Sequence, residues 1–241
     1  ENGEDVTVFF SGDSITNGAN SSFLGGYAPY QHSYPMLFTE ALADLYDYTV
    51  KYVKVDDKLA KTAVVPEVDY VAGTRGTITY VNTAVGGWRS QSGVDNFQSY
   101  ISDYIKIYGC DLLVLAYGMN DPATPTATRA NLKTIADGVL KIAPKTSIAL
   151  ITTMVCNPLD ANRPAAAKAN QRGEIKNLAK NYCIDGVPCG VADMGSVSLS
   201  VLTRKAFHDY SGNNINHPND FFGRVYAQTL LQTVIGYENM N

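Results

Sequence analysis

The alternation of apolar and polar positions changes period repeatedly along this chain. Short unbroken apolar runs give way to stripes spaced by three and four residues, and then return. The first run, Val6 to Phe10, suits a buried strand. It stops at Gly12-Asp13-Ser14, where the backbone must turn sharply. Thr77 to Val81, Asp111 to Ala116, Ser147 to Val155 and Val187 to Met194 read as further strands of the sheet. Thr49 to Val55 alternates and reads as an exposed strand. Helical stripes fill the gaps. Ser33 to Tyr46 has Pro35 in its first turn and Leu37, Phe38, Ala41, Leu42 and Leu45 on one face. Val94 to Ile107, Ala127 to Ile142, Pro164 to Tyr182, Val197 to Phe207 and Phe221 to Tyr237 complete the set.

Strands that alternate with helices predict a mostly parallel sheet covered on both faces. With right-handed crossovers, this is a three-layer α/β/α sandwich around five buried strands. Residues 1–241 form one domain, with no internal repeat and no linker. Asp56 to Gly76 has no clear period, and the region around 47–76 reads as an insertion, a hairpin on one edge.

Composition narrows the partners. A net charge of −4 without a basic run argues against nucleic acid, because phosphate neutralisation needs clustered Lys and Arg. The apolar runs are too short to span a bilayer, so no membrane is expected. Sixteen Tyr and 17% charged residues give a surface rich in Tyr, Asn, Ser and Thr, a balance common in secreted proteins that handle carbohydrate. The chain opens at Glu1 without Met and reads as a processed or trimmed product. The cysteines are Cys110, Cys156, Cys183 and Cys189; a 183–189 disulfide loop and four reduced thiols both fit their spacing. No Cys/His spacing matches a zinc site, and neither metal nor cofactor is expected.

Three turns fall at the C-terminal ends of predicted strands: Gly12-Asp13-Ser14, Gly86-Gly87 and Gly118-Met119-Asn120-Asp121. A fourth loop carries His217-Pro218-Asn219 into the last helix. Ligand crevices of open α/β sheets lie at this edge. The inventory is the one acyl transfer needs. A serine hydroxyl becomes a nucleophile when a neighbouring base takes its proton. An imidazole with an ordinary pKa of about 6.5 can do so near neutral pH. The backbone N–H groups of Ser14 and Gly87 and the side-chain amide of Asn120 would cradle the oxyanion. Without these neighbours, Asp13 and Ser14 would read equally well as helix-capping residues.

Taken together the four blocks resemble the SGNH hydrolase superfamily of GDSL esterases and lipases. Gly12-Asp13-Ser14-Ile15 has Ile where Leu is usual. Asn82-Thr83-Ala84-Val85-Gly86-Gly87 places the family glycine on Gly87, or on Gly86. Gly118-Met119-Asn120-Asp121 matches Gly-x-Asn-Asp, and His217-Pro218-Asn219 ends the series. The resemblance implies a flavodoxin-like fold, Ser14 as nucleophile, His217 as base, and Gly87 and Asn120 in the oxyanion hole. One departure stands out. The family has Asp three residues before the His, and here that position is Asn214. Asn214 could orient the ring as a neutral third member, or the pair could work as a dyad helped by a backbone carbonyl or Asp209. The third reading is a crippled site. In the Ser-His-Asp template such a change costs about 10⁴ in turnover.

The remaining candidates are substrate contacts. Trp88 could stack on a sugar or belong to the core or rim. Arg89 could hold a substrate hydroxyl or pair with an Asp. Tyr30, with Tyr27 and His32, lies on the long loop after Ser14. Asp13 and Asp121 suit loop-backbone hydrogen bonds, and His208 a surface position. The expected activity is removal of acetyl groups from carbohydrate. The alternatives are a lipid-directed esterase and a carbohydrate-binding relic.

Overall fold

A computed structural model describes residues 3–55, 64–122, 124–161 and 165–236. At its centre lies β1 (Val6–Gly12). Alternate side chains of a strand face opposite ways, and here both faces are covered. Val8 and Phe10 enter one buried cluster, and Phe9 enters the other. The first cluster lies under α3 (Tyr34–Tyr46) and α9 (Asp220–Ile235), through Met36, Phe38, Phe222 and Leu230. The second lies under α6 (Pro125–Ile142) and α7 (Ala165–Ile184), through Leu132, Ile135, Ile175 and Leu178. This is the expected three-layer sandwich.

The sheet has seven strands among the described residues, not five. The others are β2 (Tyr48–Tyr52), β3 (Tyr70–Val71), β4 (Gly76–Asn82), β5 (Leu112–Ala116), β6 (Ser147–Ile151) and β7 (Cys189–Ala192), in the order β3-β2-β4-β1-β5-β6-β7. All neighbours are parallel except β2 and β3. The strand read as exposed over Thr49 to Val55 is part of this sheet. Val50 pairs with Ile78 and is fully buried, because α3 closes over it. Part of the proposed insertion, residues 56–63, lies outside the described residues; the flanking β2 and β3 do form an antiparallel edge.

The single helix predicted over Val94 to Ile107 is broken. It is α4 (Ser90–Asp95), a π-helical turn at Gln98–Ser102, and α5 (Asp103–Tyr108). Two contacts fix the break. Asn96 Nδ2 donates to the Ser92 carbonyl at 2.9 Å. The Phe97 ring lies against Gly138 of α6, where an added Cβ would sit 2.6 Å from Cζ. Three short helices remain: α1 (Ser14–Asn17), α2 (Ser22–Gly25) and α8 (Met194–Leu202).

All four cysteines are free thiols, and Cys183 Sγ donates to the Cys189 carbonyl at 3.0 Å. No helix among the described residues is long and apolar enough to cross a membrane.

Candidate active site

β4, β1 and β5 are neighbours, so their C-terminal ends deliver three loops to one rim. Gly12 permits the approach at the centre. A Cβ there would sit 2.7 Å from the Ala116 carbonyl and 2.6 Å from Thr16 Oγ1. The chain then turns into α1, whose N-cap is Asp13; its Oδ1 accepts from Ile15 N at 3.0 Å. Ser14 is left half-buried at the rim.

The loop after β4 is tied to α1 by side-chain amides. Asn82 Nδ2 donates to the Thr16 carbonyl at 2.8 Å, and Asn17 Nδ2 to the Ala84 carbonyl at 3.0 Å. Val85 N also reaches the Gly12 carbonyl. The turn Val85–Trp88 closes with Trp88 N on the Val85 carbonyl at 3.2 Å. Gly87 is its third residue, with φ +83°, a conformation that favours glycine. A Cβ at Gly86 would lie 3.9 Å from Ser14 Cβ, while Gly87 has open space around it. Asn120 Nδ2 donates to the Trp88 carbonyl at 3.0 Å, which joins the loop after β5 to the one after β4. That contact uses one of the two hydrogens of the amide.

The fourth loop brings His217 across 203 residues of chain. Its Nε2 lies 2.7 Å from Ser14 Oγ. The loop is shaped by Asn213, not by Asn214. Asn213 Oδ1 accepts from the backbone N–H of Ile215, Asn216 and His217 at 3.0, 2.9 and 3.0 Å. Its Nδ2 faces His217 Nδ1 at 2.5 Å and Asn216 Oδ1 at 3.0 Å. Asn214 is exposed, has φ +54°, and gives its backbone carbonyl to Asn157 Nδ2 at 2.8 Å. The expectation for Asn214 is therefore corrected by one residue. The left-handed backbone at 214 turns its side chain out and gives the place beside the ring to residue 213. Asp209 is used elsewhere, accepting from Ala206 N at 3.0 Å.

Behind the rim lies a buried charge cluster that the sequence did not announce. Burial pushes the Asp13 carboxyl up to about 7; the nearby Asp121 charge adds to this, while the N–H groups of Ile15 and Met119 and the Lys168 charge oppose it. Asp121 accepts from Ser90 N at 3.0 Å, from the Ser90 hydroxyl and from Thr128 Oγ1 at 3.2 Å. Lys168, on α7 and buried, donates to the carbonyls of Gly118, Met119 and Asp121 at 2.5, 2.9 and 3.3 Å. It therefore grips the loop that carries Asn120. A lysine inside a helical stripe gave no signal of this, because nothing local shows which way it points.

Trp88 is partly buried and packs edge-on against Tyr100, with centroids 5.0 Å apart. Arg89 is exposed at the start of α4, its N–H on Ser92 Oγ. Tyr30 is exposed at φ +58°, beside exposed Tyr27. His32 Nδ1 lies 2.5 Å from Glu40 Oε1, which explains its half-buried position. His208 is exposed, as expected. No metal-binding group of side chains is found among the described residues.

A parallel sheet with a serine–histidine pair on its carboxyl edge, flanked by a glycine turn and an asparagine amide, defines a hydrolase of the SGNH fold. The chain belongs to the GDSL-like lipase/acylhydrolase family, whose model matches residues 8–219. That places it among carboxylic ester hydrolases. Solved structures share the fold at low identity. A two-domain esterase active on acetylated mannans, co-crystallised with mannopentaose, is 17% identical with a TM-score of 0.65, over 96% of this chain and 49% of that one. This chain thus spans about half the length of that esterase. Axe2, an acetylxylan esterase from Geobacillus stearothermophilus, is 16% identical with a TM-score of 0.65, over 98% and 96%. The lipase/acylhydrolase from Enterococcus faecalis is 13% identical with a TM-score of 0.62, over 95% of each. No curated protein sequence matches this chain.

Proposed function

We propose that this domain removes acetyl groups from carbohydrate, with Ser14 as the nucleophile. The carrying observation is the 2.7 Å contact between Ser14 Oγ and His217 Nε2. Ser14 Oγ bonds to the acetyl carbon while His217 Nε2 takes its proton. The carbonyl oxygen becomes an oxyanion facing Ser14 N–H, Gly87 N–H and Asn120 Nδ2. Collapse expels the sugar oxygen, which receives the proton from His217. Water then repeats the sequence on the acetyl-serine and frees acetate.

Tyr27, Tyr30 and Arg89 are exposed, and such side chains suit a hydroxylated substrate. Two of the structural relatives act on acetylated mannan and acetylxylan, in the same direction.

The test is acetate release from acetylated xylo- and manno-oligosaccharides, against hydrolysis of long-chain esters, with Ser14→Ala as control. Acetate release that Ser14→Ala abolishes is the expected result. Preference for long acyl chains would favour a lipid-directed esterase. No hydrolysis, together with no labelling of Ser14 by a fluorophosphonate, would leave a binding protein.

A further inference from the structure

The seating of Asn213 decides which nitrogen of the His217 ring holds the proton. One atom of its carboxamide meets three backbone N–H groups at 2.9–3.0 Å. An NH2 group can accept none of them, so that atom is the oxygen and the amide cannot be flipped. Its NH2 has two hydrogens and two facing acceptors, Asn216 Oδ1 and His217 Nδ1. Nδ1 must then present a lone pair. In the neutral ring the proton sits on Nε2 and points at Ser14 Oγ, 2.7 Å away.

This polarity is the reverse of what a general base needs. We infer that Asn213 is a positioning residue that holds His217 in the Nε2–H tautomer, so that the resting Ser14–His217 pair is poised off and turnover runs through the rarer Nδ1–H form. The inference rests on the proposed roles of Ser14 and His217. Moving the ring proton to Nδ1 sets it against the Asn213 NH2, donor facing donor. Turning the amide to relieve this sets NH2 against three N–H groups. The imidazolium formed when Ser14 gives up its proton meets the same clash, since it too carries Nδ1–H. An aspartate at 213 resolves each conflict. One carboxylate oxygen takes the three N–H groups, and the other accepts from Nδ1–H. The Asn216 amide turns over to donate to the carboxylate.

The test reads the tautomer without any turnover. Long-range ¹H–¹⁵N correlations of ¹⁵N-labelled protein at about pH 8, above the usual imidazole range, separate Nδ1–H from Nε2–H rings. The signals of His217 are assigned by their loss in His217→Gln. The wild type is expected to show Nε2–H at His217, and Asn213→Asp is expected to show Nδ1–H. With p-nitrophenyl acetate, Asn213→Asp should raise kcat by about 10²–10⁴, approaching the effect of the reverse change in the serine-protease template, with KM little changed. An Nδ1–H ring in the wild type would overturn the inference. So would an Asn213→Asp variant that labels at Ser14 with fluorophosphonate, yet turns over no faster. If no ester is hydrolysed and Ser14 stays unlabelled in both proteins, the esterase reading fails, while the wild-type spectrum still decides the tautomer.

Discussion

Replacing Lys168 by Met tests whether the loop carrying Asn120 is held by a buried charge. Met keeps most of the volume and removes the ammonium. Three carbonyls, those of Gly118, Met119 and Asp121, lose their donor at 2.5–3.3 Å. Asp13 loses a nearby positive charge that opposes the rise of its pKa. Removing a charged donor from buried carbonyls costs about 1.5–3 kcal/mol. For a domain of this size that lowers Tm by roughly 3–12 °C. The loss carries a pH signature. Asp13 titrates near 7 rather than in the usual carboxylate range, so its protonated form suits the fold better. Its contribution to stability therefore declines as pH rises from about 4 through about 7. Without Lys168 the folded-state value moves higher still, which enlarges the penalty at pH 8. At pH 5 Asp13 is protonated in both proteins, and that part of the difference disappears. The assay is thermal unfolding by circular dichroism at both pH values, alongside kcat for an acetyl ester. An unchanged Tm, or a loss equal at pH 5 and pH 8, would refute the charge argument.

Other outcomes are expected from the same geometry. If Asn120 is an oxyanion donor as proposed, Asn120→Ala should lower kcat by about 10²–10³ with little change in KM, measured by acetyl-ester kinetics. Gly12→Ala should lower Tm sharply and reduce kcat with it, since the new Cβ meets the Ala116 carbonyl at 2.7 Å and neither strand can give way. Titration with a thiol reagent should find one fast cysteine, the exposed Cys183; Cys110 and Cys156 are buried, and burial pushes the Cys189 thiol up to about 12. A mass change on reduction, with no fast thiol, would instead show a 183–189 disulfide. Asn214→Asp should alter kcat far less than Asn213→Asp, because residue 214 faces away from the ring.

The sequence by itself determined the layers and the order of the functional turns. Gly12-Asp13-Ser14, Gly86-Gly87 and Gly118-Met119-Asn120-Asp121 each end an apolar run. A strand that stops at residues suited to a sharp turn is recognisable from its nearest neighbours alone. The same local logic found α3, α6 and α9 to within two residues at each end. It failed where distant packing decides. Thr49 to Val55 alternates like an exposed strand, and only the closure of α3 buries Val50. Val94 to Ile107 has a continuous stripe that shows neither the Asn96 contact with Ser92 nor the docking of Phe97 on Gly138 found at the break. The exchange of Asn214 for Asn213 came from a left-handed residue that the count from His217 could not reveal. Lys168 is written like any exposed helix lysine; its burial against the Asn120 loop exists only once α7 has packed on the sheet. Backbone turns are set by a few adjacent residues. Which polar group meets which across the rim is set by how far each loop travels before it returns, and only the folded chain fixes that distance.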